Sequence, residues 1–236
     1  MATIWEVLDK LEGKNWQDFC YEAVEENQHR LLREARAKKI PVDELDFDRL
    51  VSAVRTPVWA NKPYTYSIRT LALNGADAQL RKKQAGGTWA KSSYRQVNMD
   101  QFLGQSRHVY VESRSSEEHE VTVHDMSEQG WFTLWSPLDI VGADYVVELK
   151  TSKSVPWSDL VQKHKNQVAA QTFMWNARRG IGEYSAHLVE IYPIDGRVKV
   201  DRYQVENTWP GYSAVCEEAK KCWRMEKEWR TSRGEQ

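Results

Sequence analysis

The segment SPLDIVGADYVVELK, residues 136–150, decides how the whole chain folds. Its second half has the branched and aromatic residues of a buried strand. Because residues two apart in a strand point to the same face, Glu148 and Lys150 project together while Leu149 faces the core. Asp139 precedes Glu148 by nine residues and is expected just past the neighbouring strand. The segment therefore predicts two carboxylates and an ammonium group in one pocket.

Such a pocket is suited to a divalent metal ion. Two carboxylates held close together repel each other, and a bound Mg²⁺ or Mn²⁺ ion with oxygen ligands removes that cost. The ion polarises a phosphoryl oxygen and activates water, while an ammonium group orients that water or stabilises developing charge. We therefore predict that Asp139 and Glu148 are metal ligands and catalytic residues, with Lys150 as their catalytic partner.

Alternating and turn-bounded patterns around this segment predict a central sheet. The expected strands cover residues 120–124, 131–135, 144–150, 184–192 and 196–205, and the expected helices cover about 157–179 and 213–230. The first three strands form a meander, and Asp195-Gly196 joins the last two. This order predicts an α/β fold with a central mixed β-sheet flanked by helices.

The N-terminal region has a different character. Helical apolar spacing covers residues 3–12, 15–38 and 43–54, with Asn15 as the expected cap of the second helix. The first 54 residues carry 12 acidic against 8 basic side chains. We expect a helical N-terminal region over residues 1–97 that helps to build a nucleic-acid groove, followed by a core over residues 98–236.

The charge reverses after residue 54. Residues 55–111 contain nine basic side chains against only Asp77 and Asp100, with aromatic residues interspersed and Gly86-Gly87 as a flexible point. Cations neutralise phosphates and flat rings stack on unpaired bases, so this composition suits a single-stranded or frayed nucleic-acid end. A solvated surface is the alternative. The predicted DNA contacts are Arg81, Lys82, Lys83, Lys91, Arg95 and Arg107.

The motifs of residues 136–150 resemble those of the PD-(D/E)XK nuclease superfamily, in which an Asp precedes an acidic-x-Lys strand. In its RecB-like and lambda-exonuclease-like branches a helix containing Gln follows, and Gln167 stands in the expected place. The resemblance implies a restriction-endonuclease-like core, and it gives Gln167 a catalytic role at a substrate phosphate or a water. The RecB-like pattern has an aromatic residue four positions later, where this chain has Gln171. The Met174-Trp175 ending is closer to lambda-type exonucleases.

These families also carry an upstream helical motif with a His or Glu that completes the metal site. Gly104-Gln-Ser-Arg-His108 resembles the Gly-x-x-x-His form and lies 31 residues before Asp139. The resemblance implies that His108 is a third metal ligand, which suits Mn²⁺ better than Mg²⁺. The glycine is expected to let the helix approach closely. If the helix is misassigned, the alternatives are Glu112, Glu118 and Glu120.

The chain has three cysteines, an odd number that does not suggest a disulfide framework. RecB-like nucleases of the CRISPR-adaptation type hold an iron–sulfur cluster with a late cysteine pattern that residues 213–222 resemble. One of those positions is Ser213, and clusters generally take four thiolates, so we do not expect a complete cluster. The possible ligands would be Cys20, Cys216 and Cys222, and the alternative is three reduced thiols.

Composition and resemblance together give a functional expectation. The net charge of −1 neither requires nor excludes a nucleic-acid partner, and we expect a cytoplasmic protein, or one in the host cytoplasm if its source is viral, without a membrane partner. The expected activity is Mg²⁺- or Mn²⁺-dependent hydrolysis of DNA, from an end, in recombination, repair or mobile-element replication. A helicase or recombinase would be a fitting partner. The alternatives are a ribonuclease, a structure-specific endonuclease, or an inactive binding or assembly protein.

Overall fold

The computed structural model describes residues 2–37, 39, 62–84, 99–127, 130–179 and 183–235. The helix predicted over residues 43–54, the Gly86-Gly87 pair, and the predicted DNA contacts Lys91 and Arg95 lie outside these residues. None of the described helices is long and apolar enough to cross a membrane.

The described residues form six helices and six strands. In chain order they are α1 (Ile4–Leu11), α2 (Trp16–Ala37), β1 (Thr65–Ser67), α3 (Ile68–Gln84), α4 (Met99–Glu112), β2 (Glu118–Met126), β3 (Thr133–Val141), β4 (Tyr145–Thr151), α5 (Ser158–Arg179), β5 (Ser185–Ile194), β6 (Arg197–Val205) and α6 (Trp209–Ser232).

All six strands belong to one mixed sheet. Its order is β1-β3-β4-β5-β6, with β2 paired along the other edge of β3. The pairs β1·β3 and β4·β5 are parallel, while β2·β3, β3·β4 and β5·β6 are antiparallel. The predicted α/β class, with a mixed central sheet flanked by helices, is therefore confirmed.

Each face of the sheet has its own apolar core. Helices α3, α5 and α6 cover one face, where Val146 of β4 packs with Leu71, Val168 and Val215. Helices α1, α2 and α4 cover the other face, around Val147 and Leu149 of β4 and residues of β5 and β6. The alternation of Val146 and Val147 between the two cores follows from the period of two in a strand. It places Glu148 and Lys150 on the α5 face.

The N-terminal helices begin as the sequence predicts. Thr3 and Glu6 form a capping box at the start of α1, and Asn15 Oδ1 accepts hydrogen bonds from the backbone N–H groups of Gln17 and Asp18 at the start of α2. Both helices pack on the same core as β4 and β5. The division of the chain at residue 97 stays a prediction.

Strand β3 is longer than expected. The sequence predicts its end at Trp135, whereas the strand runs through Pro137 and Asp139 to Val141. A proline is tolerated in a strand where its missing N–H faces no neighbouring strand. The N–H and C=O of one strand residue point to the same edge of the strand. The Pro137 carbonyl accepts a hydrogen bond from the Gln171 side chain of α5 at 3.1 Å, so the proline nitrogen also faces this edge, where no strand of the described residues pairs with it. Asp139 therefore lies within β3 rather than after it.

Two elements were not predicted. Strand β1 is only three residues long, which is too short for an alternating pattern to stand out. Helix α3 is bent at Gly75, whose φ of 75° breaks the helical apolar spacing into two short parts. The β5–β6 turn, in contrast, forms as predicted, with positive φ at both Asp195 and Gly196.

Candidate active site

The site forms at a gap in the sheet beside β3. On this edge β3 pairs with β1 through Thr133–Trp135, and with β4 only through Ile140 and Val141. Among the described residues, 136–139 have no strand partner on this edge. The Leu149 N–H, which lies where β4 separates from β3, donates instead to Asp139 Oδ2 at 2.8 Å. The gap thus holds Asp139 against the β4 backbone and leaves room for side chains of the flanking helices.

Helix α4 supplies to the gap two further side chains that could bind a metal ion. His108 and Glu112 are one helical turn apart and face the same way. His108 Nδ1 lies 3.5 Å from Glu112 Oε1 and 4.0 Å from Asp139 Oδ2. One ligand atom from each of these three residues lies within 4.8 Å of the other two. An imidazole and two carboxylates at this spacing fit a divalent ion such as Mn²⁺ or Mg²⁺.

The orientation of His108 supports a ligand role. Its Nε2 lies 2.5 Å from the Leu149 carbonyl oxygen, which can only accept a hydrogen bond. The proton of a neutral imidazole therefore belongs on Nε2, and the lone pair of Nδ1 points towards Asp139 and Glu112. A carbonyl that fixes the ring in this way is a common support of metal-bound histidines.

Charge repulsion is visible in this part of the site. Burial and the nearby charge of Glu148 raise the pKa of Asp139 to about 7. Burial disfavours the charged form of His108, but the carboxylates of Asp139 and Glu112 outweigh it and raise the pKa of the imidazole. Asp139, Glu148 and Glu112 thus share a confined space, and a cation bound there would favour the charged forms of these carboxylates.

Glu148 lies on the α5 side of the gap, 3% exposed, and is surrounded by hydrogen-bond donors. Lys150 donates to its Oε1, Gln167 donates to the same oxygen at 2.6 Å, and Gln171 donates to its Oε2 at 2.8 Å. Burial acts to raise the pKa of this carboxyl, but Lys150, Gln171 and the charge of Arg69 hold it below its usual value. Both oxygens of Glu148 thus already accept hydrogen bonds from the protein itself.

The structure therefore brings together His108, Asp139, Glu148, Lys150 and Gln167, as the sequence predicts, but it arranges them differently. The trio within ligand distance is His108, Asp139 and Glu112, whereas Glu148 would have to exchange a donor to bind an ion. Glu118, another alternative, lies on β2, and the side chain of Glu120 is outside the described part of the chain. An added Cβ at Gly104 would lie 3.8 Å from Thr151 Oγ1, an ordinary contact, so no unusually close helix approach depends on this glycine.

Gln171 is a residue whose role the sequence analysis missed. Its amide nitrogen contacts Glu148, and it also donates to Ser136 Oγ at 2.9 Å and to the Pro137 carbonyl at 3.1 Å. It thus ties α5 to both strands that border the gap. The signal was present in the sequence, because residues four apart lie on one face of a helix and Gln171 follows Gln167 by four.

The predicted DNA contacts divide into exposed and buried residues. Arg107 is 3% exposed, with its guanidinium 5.0 Å from the Trp16 ring centre. Lys83 is 7% exposed, donates to the Lys62 carbonyl, and has its pKa lowered to about 8 by burial. Neither side chain presents a cation to a phosphate in this fold. Arg81 is exposed and Lys82 is half-buried.

The cysteines do not come together. Cys20 belongs to α2 on one side of the sheet, where Arg107 contacts its sulfur at 3.7 Å. Cys222 of α6 is buried in the core on the opposite side, and burial raises the pKa of its thiol to about 12. No disulfide joins any of the three cysteines, all of which the structure describes, and the sheet separates Cys20 from Cys222.

Comparison with known proteins informs the fold. No protein-family model matches this sequence, and no curated protein sequence matches it. The crystal structure of SSO0001 aligns with a TM-score of 0.52 and 16% identity, over 75% of this chain and 83% of that chain. A structure named "Putative exonuclease" from Eubacterium rectale aligns with a TM-score of 0.39 and 12% identity, over 84% of this chain and 76% of that chain. The first likeness shows a shared fold, and the second is too loose to carry an argument.

Proposed function

We propose that this chain is a divalent-metal-dependent nuclease of the PD-(D/E)XK type that hydrolyses DNA phosphodiester bonds from an end. The observation that carries the proposal is the gap between β1 and β4. His108, Glu112 and Asp139 converge there on the α4 side, and Glu148 and Lys150 lie there on the α5 side. Asp139, Glu148 and Lys150, which form the sequence motif, therefore also lie close together in the fold. The preference for DNA ends rests on the resemblance of the Gln-containing helix to RecB-like and lambda-type exonucleases.

The residues present fit a divalent ion, which His108, Glu112 and Asp139 would hold. When bound, such an ion supplies Lewis-acid activation of a phosphoryl oxygen and of water. The Leu149 N–H fixes the Asp139 carboxylate, and the Leu149 carbonyl fixes the His108 ring. These backbone contacts hold the two side chains before any ligand arrives, which limits the reorganisation that binding requires.

Lys150 would act on the substrate. Its ammonium group is held by Glu148, which Gln167 and Gln171 in turn hold in one orientation. The side chain is 12% exposed, so its charge lies at the boundary of the pocket rather than in bulk water. In such surroundings an ammonium group stabilises negative charge that develops on a phosphoryl group far better than it would in solvent.

The direct test is incubation of the chain with labelled linear duplex DNA, circular DNA, single-stranded DNA and RNA, in Mn²⁺ or Mg²⁺, with and without chelator. We expect metal-dependent release of nucleotides from linear DNA, which Asp139→Asn abolishes. Glu228→Gln, an exposed carboxylate on α6, is the control and should cleave like the parent. Cleavage of circular DNA would overturn the proposed cleavage from an end, and cleavage of RNA alone would overturn DNA as the substrate. If none of the substrates is cleaved, the proposed nuclease activity is wrong.

A further inference from the structure

Helix α3 folds back on itself beside the gap. Gly75 adopts a φ of 75° and a ψ of −175°, so the helix bends sharply there into two parts. Gln79, from the second part, accepts a hydrogen bond at 3.2 Å from the N–H of Ser67, the last residue of β1 before the first part begins. Arg69 lies two residues after Ser67, and Lys82 lies one turn after Gln79. The bend therefore brings these two cations to one end of the hairpin.

Strand register places that end of α3 at the gap. Ser67 pairs with Trp135 in the parallel ladder of β1 and β3. The next residues of the chain therefore leave the sheet where β3 loses its partner on this edge, in the stretch that leads to Asp139. The helix packs on the α5 face, in the same core as Val168. Arg69 thus stands on the β1 side of the gap, across from Glu148 and Lys150 on its β4 side.

Neither cation has a carboxylate of the described residues within hydrogen-bond distance, although the charge of Arg69 acts on Glu148. Within the described part of the chain, neither Arg69 nor Lys82 forms a hydrogen bond or an ion pair, and the oxygens of Glu148 are already bonded to other donors. Burial and the charge of Arg69 lower the pKa of Lys82, which shows that the two cations repel each other. Lys82 is half-buried and Arg69 is exposed beside it. An anion between the two like charges would relieve their repulsion and the burial cost of Lys82.

We propose that Arg69 and Lys82 form a phosphate-binding subsite, which holds a phosphate of the nucleic acid next to the one that is cleaved. The inference rests on the proposed function. A guanidinium fork and an ammonium group are the two side chains that bind phosphate oxygens most often, the first in two-pronged geometry and the second as a point charge. The bound group is either a terminal phosphate or an internal phosphodiester, since both present the same oxygens.

The test measures binding in the absence of cleavage. Affinity for a short single-stranded oligonucleotide is measured in chelator, by fluorescence anisotropy, over a series of salt concentrations. The oligonucleotide carries a 5′-phosphate, a 3′-phosphate or hydroxyls at both ends, and a circular single strand completes the set. The variants are Arg69→Gln, Lys82→Gln and the double variant. Arg36→Gln, an exposed arginine of α2 on the other side of the sheet, is the matched control.

We expect each single variant to weaken binding about tenfold and to reduce the salt slope by about 0.7, the value for one lost contact to a single strand. The loss of affinity in the double variant should be smaller than the product of the two single losses, because both cations would contact the same phosphate. Arg36→Gln should bind like the parent. A loss confined to one phosphorylated end identifies a terminal phosphate, and an equal loss on the circular strand identifies an internal phosphodiester.

The proposal is overturned if Arg69→Gln and Lys82→Gln bind with the affinity and salt slope of the parent, or if Arg36→Gln loses as much as they do. The outcome is separable from that of the nuclease itself. A parent that cleaves DNA while the variants bind normally refutes the subsite alone. A parent that binds through Arg69 and Lys82 but cleaves nothing refutes the nuclease alone.

Discussion

The two halves of the site handle negative charge in opposite ways. On the α5 side, Glu148 is held by Lys150, Gln167 and Gln171, and its pKa lies below its usual value. On the α4 side, Asp139 meets Glu112 and the imidazole of His108, and the pKa of Asp139 is raised to about 7. The protein surrounds the carboxylate of one half with hydrogen-bond donors, whereas burial and the charge of Glu148 disfavour the charged form of Asp139 in the other half.

This difference indicates where an ion belongs. A carboxylate that already accepts several hydrogen bonds gains little from a cation, because those donors must first be displaced. Carboxylates that repel each other gain both the attraction to the ion and relief from repulsion. We therefore propose that the α4 half would hold the ion and that the α5 half organises Lys150.

The largest effect should come from the α4 carboxylates. Asp139→Asn and Glu112→Gln keep the shape of each side chain but remove its charge, and each should lower cleavage by about 10³-fold, since a metal ion supplies several kcal/mol to the reaction. Mn²⁺ affinity, measured by calorimetry, should fall with cleavage. If Glu148→Gln lost Mn²⁺ affinity as completely as Asp139→Asn, the proposed difference between the two halves would be wrong, because the α5 half would then hold the ion.

A smaller loss should follow removal of the ammonium group. Lys150→Ala leaves Glu148 with two amide donors, and Val146, Val147 and Leu149 still pack the strand. We expect turnover to fall about 10²-fold, as for the loss of one charge-stabilising donor, with Mn²⁺ affinity unchanged and cooperative melting preserved. An unfolded variant would instead make Lys150 a structural residue.

His108 should matter less than the carboxylates it accompanies. His108→Ala removes a neutral ligand and leaves both negative charges in place, so Mn²⁺ affinity should fall between about 10- and 100-fold. The loss should be smaller in Mg²⁺, which prefers oxygen ligands. Equal losses for His108→Ala and Asp139→Asn in both metals would show that charge is not what distinguishes this half of the site.

The smallest effect concerns the two glutamines of α5. Gln171 donates to three acceptors, whereas Gln167 donates to Glu148 alone. Replacement of a buried donor costs about 1 to 3 kcal/mol, and we expect Gln171→Ala to lower the free energy of unfolding by about 1 kcal/mol more than Gln167→Ala. Urea denaturation of both variants checks the order. Equal values would mean that the contacts to β3 contribute nothing.

Local sequence patterns predicted much of this arrangement. The period of two in β4 placed Glu148 and Lys150 on one face, and the resemblance of Gly104–His108 to an upstream family motif implied a helix at His108. The patterns failed where an element was short or bent. Three residues of β1 cannot show an alternation, and the bend at Gly75 interrupts the apolar spacing of α3. Arg69 was for this reason counted in a basic segment and not recognised at the edge of the site.

The sequence by itself determined the α/β class, the faces of the strands, and the residue types suited to a divalent ion, because each depends on neighbours a few positions apart. Only the tertiary structure decided that Glu112 joins Asp139, that Gln171 spans both strands, and that Arg107 is buried against Trp16. These contacts join segments far apart in the chain. Whether a charge faces solvent, a partner or another charge depends on how those segments pack, and no local pattern records that packing.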